Sequence, residues 1–431
     1  MELIDKLEIL AEGAKYDAAC TSSGVDRTNV KGTLGNTKAC GICHSFSADG
    51  RCISLLKVLL TNYCIYDCQY CVNRRSNDVP RAMFEPRELA DLVIGFYRRN
   101  YIEGLFISTG VIKNPDYTME QMIVVLKILR EEYRFGGYIH AKTIPGSSRE
   151  LIDVLGSYAD RISVNLELPS EESLNILAPD KPKQNILKPM SMIRDEIKEN
   201  RHDLVVYKNT PKFAPGGQST QMIIGATPDS DFQIVRLAES LYKKFDLRRV
   251  FYSAYMPVGT HELLPKNQPV PLLREHRLYQ ADWLIRVYGF KSHEILSEKS
   301  PHLDPFLDPK CNWAVNHLEN FPIEVNKADY NSLMRVPGIG AISAKRIIAA
   351  RRTAILSFEH LKKLGIVLKR AVYFITCSGK YMKGMKFDFD FIYDNLTMDV
   401  KNRTKGLPFS SDAEQISLFD GTPKMLIGSG K

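Results

Sequence analysis

At 431 residues and 44% hydrophobic content, with 58 Lys and Arg against 50 Asp and Glu for a net charge of +8, the chain has length for about two to four domains with their own cores. No run approaches the roughly 18 apolar residues of a membrane helix, and the charged start Met1-Glu-Leu-Ile-Asp-Lys6 lacks a signal-peptide pattern, so a cytoplasmic protein without membrane contact is expected. Most of the nine cysteines fall within residues 20–71, which in a long chain of this kind points to metal or redox chemistry and away from a disulfide framework.

Residues 1–52 form a Cys-rich segment. Positions 2–16 read as a short amphipathic helix with Leu3, Ile4, Leu7 and Leu10 on one side, followed by a loop rich in Gly, Ser and Asn. Cys20, Cys40, Cys43 and Cys52 could together supply a four-thiolate site for a second iron-sulfur cluster or for zinc, with His44 able to replace Cys40. Buried free thiols are the alternative.

From 53 to 300 apolar, β-branched runs alternate with helix-period segments, the pattern of successive βα units and a parallel sheet. Strands are expected at 53–60, 104–109, 138–143, 161–167, 220–224 and 249–255, with helices at 85–100, 117–133, 149–156, 189–200, 231–245 and 272–288. Six strands with crossovers fit an α/β fold, an open (β/α)6 partial barrel whose ligand sites gather at the carboxyl ends of the strands. Directly after the first of these strands stands Thr61-Asn-Tyr-Cys-Ile-Tyr-Asp-Cys-Gln-Tyr-Cys-Val-Asn-Arg74. Its thiols Cys64, Cys68 and Cys71 have the spacing C-x3-C-x2-C, with Tyr70 just before the last. Three thiolates can hold three irons of a [4Fe-4S] cluster and leave the fourth without a protein ligand, whereas a structural zinc takes four. A zinc knuckle and three incidental cysteines are the competing readings.

Residues 301–380 open with a Pro/Asp-rich linker, Pro301 to Pro309, and continue with a capped helix at 326–336, the turn Pro337-Gly338-Ile339-Gly340 and a second helix at 341–350. Glycines in such a turn expose backbone N–H groups at a helix start, which favours a phosphate. Lys345, Arg346, Arg351, Arg352, Lys362, Lys363, Lys369 and Arg370 face one acid, Glu359, within 341–370, nearly the whole charge excess of the chain. A hairpin used for protein contacts is the alternative. In the extension 381–431, Phe387, Phe389, Phe391 and Tyr393 alternate as in a strand, and the remainder is a Lys/Thr/Gly/Ser-rich tail expected to be mobile.

These motifs carry resemblances. The Cys64–Cys71 loop resembles the signature of the radical S-adenosylmethionine (SAM) superfamily, and further matches fall at predicted strand ends. Ser108-Thr109-Gly110 is similar to the turn that meets the SAM amino group. Asn165-Leu-Glu167 resembles an Asn-x-Asp pair that holds the ribose hydroxyls and amino acid end, here with an acid one carbon longer. Gln221-Met-Ile-Ile-Gly225 resembles the turn flanking the adenine, without its first glycine, and Tyr255-Met-Pro-Val-Gly-Thr260 closes the sixth strand as in relatives. What this implies is a [4Fe-4S] cluster whose open iron binds SAM, an electron donor such as flavodoxin or ferredoxin, and a 5′-deoxyadenosyl radical that abstracts hydrogen from a substrate. The helix, Pro-Gly-Ile-Gly turn and helix look like a helix-hairpin-helix DNA-binding motif, and Leu361 to Ala371 resembles its degenerate second copy, which implies an all-α duplex-binding domain. Gln415-Ile-Ser-Leu418-Phe419 resembles the peptide by which bacterial repair proteins dock on the sliding clamp. The whole order is similar to a bacterial family of radical SAM proteins assigned to DNA modification or repair and associated with a uracil-DNA-glycosylase-like partner. A radical SAM enzyme for transfer RNA, inserting sulfur or methylating, and a non-enzymatic iron-sulfur DNA-binding protein are the rival readings.

Overall fold

The computed structural model describes residues 1–14, 42–46, 52–207, 210–258, 261–262, 264–266 and 272–404. Helix α1 (Leu3–Ala14) buries Leu10, Ala11 and Ala14 and leaves Leu3 and Ile4 exposed, so its core-facing stripe lies nearer its end than the sequence pattern indicates. Strand β1 (Ile42–Phe46) follows, in a segment read from sequence as loop, and pairs antiparallel with β2 (Cys52–Leu59).

Five βα crossovers then build the sheet. In chain order the elements are α2 (Pro86–Arg98), β3 (Gly104–Ser108), α3 (Pro115–Lys127) with a π turn at Ile128–Glu132, β4 (Tyr138–Lys142) and α4 (Arg149–Tyr158). They continue with β5 (Arg161–Ser163), α5 (Glu171–Leu177), α6 (Lys183–Val206), β6 (Gln218–Ile224), α7 (Asp231–Phe245), β7 (Arg249–Ala254) and α8 (Leu272–Tyr288). Local signals set the helix starts: Pro115 follows the Asn114 cap, whose side chain accepts from the Tyr117 N–H, and Ser230 with Gln233 closes a capping box on α7. The strand order is β1-β2-β3-β4-β5-β6-β7, and every pair from β2 to β7 is parallel. An order that never reverses sends each crossover the same way, so the sheet curls toward a barrel, without the switch point of a doubly wound sheet. The expected six-stranded partial barrel is therefore present, and all six carboxyl ends open on one side. No described helix is long and apolar enough to cross a membrane.

The carboxyl-terminal part comprises α9 (Ser292–Ile295), α10 (Pro309–Asn316), α11 (Tyr330–Arg335), α12 (Ala341–Ala350), α13 (Phe358–Lys363), α14 (Leu368–Ala371) and α15 (Phe389–Thr404). Two short strands, β8 (Ile323–Glu324) and β9 (Ile375–Thr376), pair within this otherwise helical region. Phe290, Trp313, Phe321 and Phe374 join it to the barrel as a chain of buried rings with centroids 5.0–6.0 Å apart.

Two expectations are corrected. The run expected as strand at 161–167 is strand only to Ser163, because the backbone turns before Glu167, which sits at φ +68°. Of the alternating aromatics near 387–393, Phe389, Phe391 and Tyr393 lie instead at the start of α15, where Phe389 and Tyr393 stack with centroids 6.0 Å apart, and Phe387 precedes the helix. Every second i,i+2 match is also i,i+4, so the pattern was compatible with either period.

Gly156 in α4 is a test of this packing. Alanine there would gain about 1 kcal/mol of helix propensity, but its methyl would stand 2.0 Å from a ring carbon of buried Phe213. Overpacking costs about 1–3 kcal/mol, so Gly156→Ala is expected to lower the thermal unfolding midpoint measured by circular dichroism, and a raised midpoint would contradict the packing described.

Candidate active site and nucleic-acid interface

The cysteine loop begins where β2 ends and lacks regular structure, so its shape rests on tertiary hydrogen bonds. The Arg81 guanidinium donates to four carbonyls, those of Asn62, Asn73, Arg74 and Asn77. Asn62 is fixed in turn, donating to Pro80 O at 2.8 Å and accepting from the Ala82 N–H at 2.8 Å. The Gln69 N–H donates to Leu177 O at 2.7 Å and that of Asp67 to the Asp180 carboxylate at 3.1 Å, which ties the loop to the end of α5.

Neighbouring strand ends meet this loop. The Gly110 N–H donates to Thr61 O at 2.7 Å, and a side chain at Gly110 would lie 2.2 Å from Tyr63 O and 3.3 Å from Cys64 Cβ, so only glycine admits this approach. The Val111 N–H donates to Cys64 Sγ at 3.4 Å. Thr109 bonds the Gly110 carbonyl at 2.6 Å, and Ser108 is buried. Cys68 is buried, and Cys64 and Cys71 are partly exposed. Burial, followed by the neighbouring Cys68 sulfur, pushes the Cys71 thiol up to about 12, and burial also raises Cys68. Thiols as costly to ionise as Cys68 and Cys71 call for a positive partner. Among the described residues, no three His, Cys, Asp or Glu side chains are grouped to hold a single metal ion. Three thiols spread around a loop suit separate irons of one cluster.

Lys181, which sequence reasoning missed, stands beside them. Its ammonium is 3.6 Å from the Glu167 carboxylate and 6.0 Å from the Tyr66 ring centre. Burial works against its charge, but Cys68, Glu167, Cys71 and Cys64 outweigh that and raise its pKa. Glu167 adopts a left-handed backbone, uncommon for a side chain this large, and is held by its N–H to Gln221 O at 3.0 Å and by its carbonyl accepting from the Ile223 N–H at 2.7 Å. Asn165 is buried and donates to Gln221 Oε1 at 3.4 Å. Gly225, at φ +81°, and buried Tyr255 end the next two strands, with the Tyr255 N–H on Ile224 O at 2.9 Å.

The sheet register also sets polar side chains level with one another across neighbouring strands. Lys57, Phe106, His140 and Arg161 are level with one another, as are Lys142, Ser163 and Ser219. His140 Nε2 lies 3.0 Å from Ser163 Oγ and is held neutral by burial, with Arg161 and Lys142 adding to the effect. Period-two polarity in these strands was the available signal.

In the hairpin region Gly338 and Gly365 both take positive φ, +82° and +81°, and each precedes a buried isoleucine, Ile339 or Ile366, so two related turns face each other. The Val367 N–H donates to Gly338 O at 3.3 Å, and Val367 stands where the first turn has Gly340. Buried Lys310 donates to Ile339 O at 2.6 Å and seats the first turn on α10. The expected basic set divides. Arg351 turns inward to the Val325 and Ala328 carbonyls, Arg370 pairs with Asp308 at 2.9 Å, and Arg346 bonds Leu364 O at 3.2 Å. Lys345, Arg352, Lys362, Lys363 and Lys369 are exposed, as a backbone-binding surface requires.

Residues 58–210 match the family model of the Radical SAM superfamily. The chain carries a radical SAM domain. With it comes the scaffold of an enzyme, and residues 320–369 match the helix-hairpin-helix motif. Among solved structures the chain is similar to HydG, a maturase of the [FeFe]-hydrogenase, at 15% identity over 52% of this chain and 48% of that one, with a TM-score of 0.39. HydG from Carboxydothermus hydrogenoformans matches at 16% over 53% and 50%, also with a TM-score of 0.39. The cobalamin-dependent radical enzyme OxsB with aqua-cobalamin and SAM bound matches at 12% over 82% and 56%, with a TM-score of 0.33. The chain spans about half the length of the HydG structures it matches. No curated protein matches it.

A radical SAM domain implies a [4Fe-4S] cluster and SAM, and the site fits them. Cys64, Cys68 and Cys71 would hold the cluster, the Val111 N–H already points at one of these sulfurs, and the buried Tyr70 hydroxyl is directed at Cys68. When bound, the cluster supplies the electron that cleaves SAM. Of the other cysteines, Cys43 lies in β1 opposite Leu55 and Cys52 in β2 opposite Phe46, while Cys20 and Cys40 fall outside the described residues. So do Gln415, Leu418 and Phe419.

Lys181 gives a direct test of the site. Lys181→Met removes the cation that offsets the Cys68 and Cys71 thiolates, so thiolate formation in the cluster-free protein, followed by absorbance at about 240 nm, is expected to move to higher pH than in the wild type. An unaltered thiol titration would contradict the placement of this ammonium beside the thiols.

Proposed function

We propose that the chain is a radical SAM enzyme that acts on duplex DNA, repairing or modifying a base or sugar. One observation supports this reading above the rest: the hairpin turn is packed into the same core as the barrel. A side chain at Gly340 would touch the Tyr288 hydroxyl of α8 at 3.1 Å, and Arg335 of α11 pairs with Glu294 at 2.8 Å while its guanidinium lies 3.9 Å from the Phe290 ring centre. A backbone-gripping module fixed to the barrel would hold a duplex in one orientation toward the radical site, and such grip carries no base preference of its own. In this reading Cys64, Cys68 and Cys71 hold the cluster, and Lys181 and Glu167 meet the charged amino acid end of SAM. Asn165, Gly225 and Tyr255 meet its nucleoside, while Gly338, Gly340 and the exposed lysines take phosphates. Cys20, Cys40, Cys43 and Cys52 are the candidates for a second cluster or zinc. The Gln415–Phe419 peptide would tether the enzyme to a sliding clamp, and a uracil-DNA-glycosylase-like protein is a candidate partner.

The test is formation of 5′-deoxyadenosine by the anaerobically reconstituted, reduced protein, with and without duplex DNA. Duplex DNA is expected to raise the rate, and Gly338→Ala is expected to lose that stimulation while keeping the basal rate. The substitution puts a side chain at φ +82° and 2.5 Å from Val367 O, away from the cysteine loop. Stimulation by transfer RNA but not by DNA would overturn the substrate assignment, and no product under any condition would overturn the enzyme reading.

A further inference from the structure

The chain has two tryptophans, and they are placed differently. Trp313 is packed among Phe290 and Phe321, only 7% exposed, whereas Trp283 on α8 is 50% exposed. A half-bare indole forgoes burial that a core would reward. Its surroundings are those of a nucleic-acid surface. Its N–H interacts with the Tyr288 hydroxyl, the same hydroxyl that a side chain at Gly340 would touch, so Trp283 stands next to the phosphate-binding turn. Ile342, two residues beyond Gly340, is 69% exposed, and Val287 is also exposed on α8.

Positive charge flanks this apolar face. The Arg286 guanidinium lies 5.5 Å from the Trp283 ring centre, its charge balanced by Asp282 at 2.8 Å, while Lys345, one turn after Ile342 on α12, is exposed. Packed against α8, helix α7 and the start of α9 frame an open cleft of about 500 Å³ lined by Arg236, Lys243, Lys291 and His293. Its one acid, Glu239, is already engaged by the Lys243 ammonium at 2.6 Å and the Ser292 N–H at 2.9 Å. An exposed aromatic face beside a phosphate-binding turn, on a helix packed against one wall of a basic cleft, can bind a strand by its backbone and its bases together.

We propose that Trp283 is a stacking platform for an unpaired base of DNA whose backbone is held at the Gly338–Gly340 turn and in the cleft beside α7. The proposal rests on the DNA reading above and narrows it. In an intact duplex bases show their edges, and only a base out of the stack offers a face to an indole. The preferred ligand is therefore duplex DNA containing a bulged or mismatched base. Trp283 is a binding residue, and Arg286 and Tyr288 hold its ring in place.

The experiment measures fluorescence anisotropy of labelled duplexes, fully paired or with one bulged base, on the full chain, together with the intrinsic tryptophan emission. The wild type is expected to bind the bulged duplex about five- to tenfold more tightly than the paired one, the scale of one stacked base. Its emission should be quenched by the bulged duplex, since Trp283 is the exposed indole. Trp283→Ala should bind both duplexes equally, with paired-duplex affinity within about twofold of wild type, and Trp283→Phe should keep most of the preference. A preference that persists in Trp283→Ala, or unchanged emission on binding, would overturn the proposal and leave the DNA reading intact. Failure to bind either duplex would overturn the DNA reading itself, and tighter binding of single-stranded RNA than of either duplex would replace DNA by RNA as the ligand.

Discussion

A loop without regular secondary structure can present three thiols at fixed positions only if its backbone carbonyls find donors, and here one guanidinium serves four of them. Arg81 thereby does for the cysteine loop what a hydrogen-bond ladder does for a strand. Burial makes two of the thiols it organises, Cys68 and Cys71, expensive to ionise, which is why a neighbouring cation matters. Lys181 supplies that cation, and Glu167 holds the lysine from the other side. Removing one partner of such a buried pair leaves the other uncompensated, so the two residues function as a unit.

The same economy links the barrel to the hairpin. Helix α8 covers the last strand of the sheet with one face, where the Tyr279 hydroxyl bonds the Tyr252 backbone, and meets the hairpin turn with Tyr288 at its end. Lys310 of α10 reaches the first hairpin turn at Ile339, and the helix's cap Asp308 pairs with Arg370 of α14, just after the second. Two modules with separate sequence signatures are thus held by one set of contacts. In the DNA reading, this would fix the direction from which the duplex meets the barrel.

Much of this was legible before the structure. The C-x3-C-x2-C spacing located the cysteine loop, and the six apolar runs located all six parallel strands, because strands buried between helices and a packed interior must be apolar on at least one face. The residues that were missed lack periodic context. Lys181 lies in a short connection between two helices, and nothing in its neighbours along the chain marks it as facing a thiol 110 residues and more earlier in sequence. Lys57, His140 and Ser163 were hidden inside strands read as apolar, although their alternation with buried aliphatics was visible. The basic residues of the hairpin were counted correctly as charges, but Arg351 and Arg370 are spent on the fold, a distinction made by tertiary contacts alone.

The central claim is that Cys64, Cys68 and Cys71 hold a cluster with one iron left for a small-molecule ligand. The most direct measurement is the electron paramagnetic resonance spectrum of the reduced, reconstituted protein before and after SAM is added, alongside the Cys64/Cys68/Cys71 triple Ala variant. The account expects a signal whose shape changes with SAM in the wild type and no SAM-dependent change in the variant. A spectrum indifferent to SAM, or one altered equally in the variant, would contradict it.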